Sequence, residues 1–244
     1  MTTALSPVKE DRRIASLDVL RGLAMLGILV LNIQTFAMPF AAYGNPLGYG
    51  TVEGADYWVF TLSMVLGDMK FMAIFSMLFG AGMVLFVERL LETGRSAYAV
   101  HYRRMAWLLV IGLLHAYLLW YGDILVGYAM CGMILVGCRR LPPWLLLATG
   151  FAMLLLGSML FLGLGWLIIN FGPEEMARAA FDSPASQESL QYELEAYTGG
   201  WLGQMGHRAI ASGMVQTFGF AFFVLWRAGG LMLVGMALYR WGVF

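Results

Sequence analysis

The sequence predicts an all-α, polytopic transmembrane helix bundle of about six spans, and three observations carry that prediction. Apolar residues make up 60% of the chain and charged residues only 12%, whereas a soluble domain carries about 45–50% and about 25%. The apolar residues gather into runs of about 20, the length of helix that crosses hydrocarbon. The charges between the runs follow a pattern that alternates from one connection to the next. With a formal net charge of zero, nothing points to nucleic acid, and the expected partner is the lipid bilayer.

The spans fall near 20–42, 70–90, 104–121, 123–139, 143–170 and 210–240, all within a single transmembrane domain over 1–244. The first run is long and lacks a small-residue cleavage site, so it is expected to stay as an anchor. Gly122 and Asp123 leave room only for a tight turn, which makes the third and fourth spans a helical hairpin. The sixth run is too long for a simple span. Gly229-Gly230 beside Arg227 is the place where it would break, with a seven-span arrangement as the alternative. Residues 57–67 are apolar and aromatic, and 174–205 alternate acidic with aromatic positions. Both are expected as outer segments lying at the membrane interface.

Positive residues are retained on the cytoplasmic side. The N-terminal arm holds Lys9, Arg12 and Arg13, the second-to-third connection Arg89, Arg95, Arg103 and Arg104, and the fourth-to-fifth Arg139 and Arg140. The alternate connections carry Glu53 and Asp56, then six carboxylates from Glu174 to Glu195 against Arg178 and Arg208. The expectation is a multi-pass protein of the bacterial inner membrane with a cytoplasmic N-terminus. Six crossings return Arg240 to the same side.

An ionisable group within a span is costly and is a functional-site hypothesis by default. Asp18 and Arg21 open the first span at i,i+3, close enough to pair. Asn32 lies eleven residues beyond Arg21, about 16 Å deeper on the same face, and His115 lies eleven beyond Arg104, again about 16 Å. The two are therefore level at mid-membrane, where a site between helices would need them. Lys70 stands nineteen residues from Arg89 and Asp123 nineteen from Arg104, about 28 Å in each case, so both should emerge at the outer surface. There Asp68, Lys70 and Asp123 are expected to form an ion-paired cluster flanked by Trp120 and Tyr121. Arg227 lies about 20 Å from the inner edge and needs a carboxylate, for which Asp123 or Asp68 is expected. The plainer readings are an interface ion pair for Asp18–Arg21 and polar glue between helices for His115 and Asn32. Gly80-Ala81-Gly82 is expected to serve close helix packing, and His101 and His207 to be solvated in loops. Cys131 and Cys138, seven apart in one apolar run, fit neither a zinc site nor a disulfide framework. No metal site is expected, and no GxSxG, HExxH or phosphate-loop motif occurs.

Four blocks occur in order, RIASLDVLRGLAMLGILVLNI, GDMKFMAIFSMLFGAG, RRMAWLLVIGLLHAYLLWYGDILVGYAMCG, and EAYTGGWLGQM before LMLVGMALYRWGVF. Together they resemble the YeiB-like bacterial membrane proteins of unknown function. In that family further spans follow the last block, so the chain resembles an N-terminal portion. The first block is also similar to the opening of membrane acyltransferases of the heparan-alpha-glucosaminide N-acetyltransferase type and of bacterial sugar O-acyltransferases. Their R-x-x-x-x-D-x-x-R-G-x-A pattern is met by Arg13, Asp18, Arg21, Gly22 and Ala24. The O-acyltransferases place a histidine where this chain has Asn32, and the glucosaminide enzymes resemble it in having asparagine.

The resemblance implies transfer of an acyl group from cytosolic acyl-CoA, a donor substrate and not a resident cofactor, to an extracytoplasmic acceptor such as a sugar. In that reading His115 is the base, Asn32 orients the acceptor or polarises the thioester, and Asp18 with Arg21 holds the CoA end. A transporter lined by Lys70, Asp123 and Arg227 and a non-catalytic membrane scaffold stand as alternatives. The scaffold would bind a partner membrane protein through its Gly- and Met-rich faces, and a homo-oligomer is also compatible with the sequence.

Overall fold

The computed structural model describes residues 14–40, 43, 53–94, 96–173 and 187–244. Among them every regular element is helical. Helix α1 is Ala15–Ala37. Helix α2, Ala55–Leu62, runs into a π-helical turn, Ser63–Gly67. Helix α3 is Lys70–Glu92, α4 is Ala97–Leu118, and α5 is Leu125–Leu135 with a 3-10 extension, Val136–Arg140. Helix α6 is Pro143–Phe171 and α7 is Gln187–Thr198. Helix α8, Met205–Met214, continues through a π-helical stretch, Val215–Val224, into α9, Leu225–Arg240.

Four helical segments are long and apolar enough to cross a membrane: Ala15–Phe36, Ala55–Glu92, Pro143–Phe171 and Met205–Arg240. The two further expected spans, near 104–121 and 123–139, fall on α4 and α5, which differ from these four in composition and length. Helix α4 carries Arg103 and Arg104 within its 22 residues. Helix α5 has 11 residues, about 16 Å of rise, to which the five-residue 3-10 extension adds about 10 Å, so it is shorter than the run of about 20 residues a span takes. The 57–67 segment is helical and leads into α3 through a bend at Asp68-Met69, where Met69 takes a left-handed φ of 59°. A non-glycine residue there is uncommon, and it lets α3 leave in a new direction.

Gly229-Gly230 does not break the last helix. Both glycines are buried inside α9, and the departure from α-helical pairing lies upstream in Val215–Val224. The reason is packing. A Cβ on Gly230 would stand 2.8 Å from the Gly150 carbonyl oxygen of α6, and one on Gly80 or Gly235 would collide with the Met232 or Met77 carbonyl. Small residues let these helices approach closely. Helix α9 is thus the central element, packed along α6 and α3, with Met232, Met236 and Ala237 fully buried.

His101 is not solvated in a loop. It lies in α4, 1% exposed, with Nε2 3.0 Å from the Gly132 carbonyl of α5. His207 lies in α8 against the rings of Tyr192 and Tyr197. Cys131 and Cys138 are free thiols. The arginine-rich ends gather together, since Arg240 Nη1 donates to the carbonyls of Arg139 (3.1 Å) and Leu141. Lys9, Arg12, Arg13, Arg95 and residues 174–186 lie outside the described residues.

Candidate functional site

Helix α1 packs along α3, and α4 packs on α5 and α8, whereas α1 and α4 make no extensive contact with each other. They are the two lips of a cleft. It opens into a cavity of about 400 Å³, within the range of small-molecule sites. Met25, Ile28, Leu29, Asn32 and Phe36 line it from α1, Phe75 and Phe79 from α3, and Leu108 and His115 from α4. Trp120 and Asp123 of the hairpin turn and Tyr128 of α5 complete the wall. Asn32 and His115, level by rise along their helices, therefore line the same space.

The polar groups cluster at one end of an otherwise apolar cavity. His115 Nδ1 lies 2.9 Å from Asp123 Oδ1, with the Asp123 side chain 1% exposed and the His115 side chain 34%. A carboxylate only accepts, so Nδ1 donates and Nε2 carries the lone pair. The second carboxylate oxygen accepts the Val126 amide at 2.9 Å, in the first turn of α5. Asp123 thus fixes the ring and ties the start of the next helix to it. Helix α5 comes near enough because residue 112, one turn before His115, is glycine. A Cβ there would stand 2.7 Å from Val126 N.

The remaining walls add donors. The Tyr128 hydroxyl lies 2.6 Å from Ser76 Oγ, and the ring packs edge-on to Phe79. The Trp120 indole N–H is buried and unpaired among the described residues, while its ring meets Phe36 edge-to-face at 4.7 Å. The Asn32 side-chain amide makes no hydrogen bond to a described residue; only its backbone carbonyl is engaged, by Thr35. The Trp120 indole N–H and the Asn32 amide therefore line the same cavity as the His115 ring.

Behind His115 the end of α4 is braced by α8. Ser212 Oγ donates to the Ala116 carbonyl at 2.9 Å, and Arg208 Nη1 and the Trp201 indole both donate to the Leu118 carbonyl at 2.8 Å. The last carbonyls of a helix have no partner within it, and these contacts supply them. Arg208, expected in an outer loop, is 2% exposed.

The expected ion cluster does not form as an ion cluster. Asp123 is committed to His115. Asp68 Oδ1 accepts from the Tyr43 hydroxyl at 2.9 Å, and burial with that contact pushes the Tyr43 pKa up to about 12. Lys70 Nζ reaches the carbonyls of Met64 and Asp68 and no carboxylate among the described residues. Arg227 likewise finds no described carboxylate. It lies 5.7 Å from the Phe223 ring, with its buried Nε unpaired among the described residues. Asp18 and Arg21 do approach, at 3.8 Å, with both side chains substantially exposed. Sequence reasoning missed the Asp123 role, although a carboxylate just ahead of an apolar run is the usual signal for a helix start. Tyr128 and Ser76 carried no such signal.

No protein-family profile and no solved structure matches the chain. Curated relatives do. The uncharacterized protein YeiB of Escherichia coli (strain K12) is 34% identical over 233 residues, 94% of this chain and 56% of that protein. The uncharacterized protein YxaH of Bacillus subtilis (strain 168) is 36% identical over 165 residues, 66% of this chain and 41% of that protein. An uncharacterized 39.9 kDa protein from the amylase 3' region of Bacillus acidopullulyticus is 33% identical over 161 residues, 63% of this chain and 42% of that protein. The chain spans about half the length of these relatives. It carries apolar helices able to cross a membrane, and it is similar to uncharacterised bacterial proteins of the YeiB and YxaH kind.

Proposed function

We propose that the protein is a transmembrane acyltransferase of the bacterial inner membrane, with its N-terminus cytoplasmic and its reaction centred on His115. The observation that supports this most is the His115–Asp123 pair in the wall of a cavity that Asn32 also lines. An imidazole oriented by a carboxylate, with its other nitrogen free, is the arrangement of a general base. In the proposed step Nε2 takes the proton of an acceptor hydroxyl or amine as that atom attacks the thioester carbonyl carbon. The new C–O or C–N bond forms, the C–S bond breaks, and the thiolate leaves with the proton returned by the imidazolium. The Trp120 N–H and the Asn32 amide are the donors available to the carbonyl oxygen as it gathers charge. Arg21 stands about 16 Å from Asn32 along α1, with Asp18 one turn further, at the end where the CoA portion of the donor would be held.

The span arrangement proposed with this reading keeps the α4–α5 hairpin within the bilayer beside the four long segments. Segment 57–67 and the 174–205 connection are assigned to the outer interface. The test is turnover of acyl-CoA by purified protein in lipid nanodiscs with a sugar acceptor. Release of free CoA that falls about 10²–10⁴-fold in His115→Ala is expected for loss of a general base. Wild-type protein that neither binds nor turns over acyl-CoA would contradict the proposal.

A further inference from the structure

The cleft has a second feature at its other end, and its meaning rests on the acyl-transfer reading. Arg21 of α1 lies against Gly82 of α3, its Nη2 only 2.9 Å from where a Cβ would stand. Arg104 of α4 lies over the Phe86 ring of α3, 4.8 Å from its centre. Gly82 and Phe86 are four residues apart and so share one face of α3, about 6 Å from each other along its axis. The two guanidinium groups, one from each lip, thereby lie against the same face of α3, where their charges act on one another. Asp18, at 3.8 Å from Arg21 and 58% exposed, is the only carboxylate in ion-pair reach of either among the described residues. A like-charged pair with one loose counter-ion is unfavourable unless an anion joins it.

The cavity joins this pair to the base. Its walls at the arginine end begin at Met25 and Leu108, one turn beyond Arg21 and Arg104 respectively. They continue to Asn32 and His115, each eleven residues and about 16 Å from its arginine. We infer that Arg21 and Arg104 form one anion clamp, which takes the phosphate end of an elongated acyl thioester and sets its carbonyl at His115. Arg104 is the new assignment, the half of the donor site contributed by the opposite lip. The spacing sets the arm of the ligand at about 16 Å, the apolar walls suit an uncharged arm, and the arginine pair suits an anionic head such as phosphate. A lipid headgroup offers the same phosphate chemistry without the arm.

Equilibrium binding to the full chain in zwitterionic nanodiscs tests this with two probes, octanoyl-CoA and octanoyl-pantetheine, which differ in the phosphates. Arg21→Gln and Arg104→Gln are each expected to weaken octanoyl-CoA about tenfold or more and to leave octanoyl-pantetheine unchanged. Arg104→Lys, which keeps the charge, should retain part of the affinity, and Arg103→Gln should lose none. Arg104→Gln that binds octanoyl-CoA as tightly as wild type overturns the clamp, and so does an equal loss for both probes. If the arginine variants instead lose only retention of phosphatidylglycerol, with octanoyl-CoA unaffected, the phosphate belongs to a lipid and the donor assignment is wrong. His115→Ala should bind octanoyl-CoA like wild type, so absent turnover with the arginine effects intact removes the transfer reading alone.

Discussion

His115 has one ring nitrogen committed to Asp123 and one free, and this division separates what substitutions at the two positions should do. Asp123→Asn preserves shape but offers an N–H that can turn the ring to the other tautomer. Turnover of acyl-CoA is expected to fall by about 10²-fold or more while donor binding is kept, a loss carried by the rate constant and not by affinity. Equal kinetics in Asp123→Asn and wild type would remove Asp123 from the mechanism. At this scale the sequence was informative about depth and not about direction. Counting turns from Arg21 and Arg104 set Asn32 and His115 at one height, because helical rise is nearly constant. Which carboxylate would meet His115 was not legible, since the Trp120-Tyr121-Gly122 turn returns Asp123 toward the helix it has just left. Arg227 and Lys70 were read as seeking carboxylates. Among the described residues Lys70 meets backbone carbonyls, and Arg227 meets an aromatic ring with its buried Nε left unpaired.

Two packing features of α4 decide whether that pair can exist. Gly112 lets the first turn of α5 approach, and a Cβ 2.7 Å from Val126 N cannot be accommodated without moving backbone. Gly112→Val is expected to lower the stability of the purified protein by about 1–3 kcal/mol, the usual cost of overpacking. It should also abolish turnover by separating Asp123 from His115. Gly22→Ala, at a glycine with nothing within 4 Å, is the matched control and should leave both unchanged in thermal unfolding and rate measurements. Arg208→Leu removes the donors to Leu118 and Gln204 and is expected to cost about 2 kcal/mol, read as a fall in Tm. The apolar runs predicted the helices well where a run was long and uninterrupted, as in α1, α3 and α6. The failures came at irregular backbone. Gly229-Gly230 is a reasonable hinge by composition, yet Gly150 of α6 facing Gly230 makes it a contact instead. A third span starting near 104 leaves His101 in the loop before it, whereas α4 begins at Ala97 and buries the imidazole against Gly132.

Across the whole molecule, the surface is the clearest statement of the solvent. On α6, Phe151, Leu155, Met159, Leu162 and Trp166 are each 57–70% exposed, and on α1 Leu23, Leu26, Val30 and Ile33 are 56–65% exposed. Contiguous apolar surface on this scale is incompatible with a monomer in water and is what hydrocarbon requires. Polar contacts instead lie within the cleft or at the helix ends, as with Arg240 on Arg139 and Leu141 at one end and Trp201 on Leu118 at the other. This is also where composition was most informative, because a charge fraction of 12% leaves too few polar groups to cover a body of this size. The site depends on that environment, since a cleft between lipid-facing helices would collapse or aggregate without it. The direct measurement is alkaline carbonate washing of membranes from cells producing the chain. The protein is expected to remain in the pellet and to be released only by detergent; its quantitative recovery in the carbonate supernatant would contradict a lipid-embedded bundle and the site built within it.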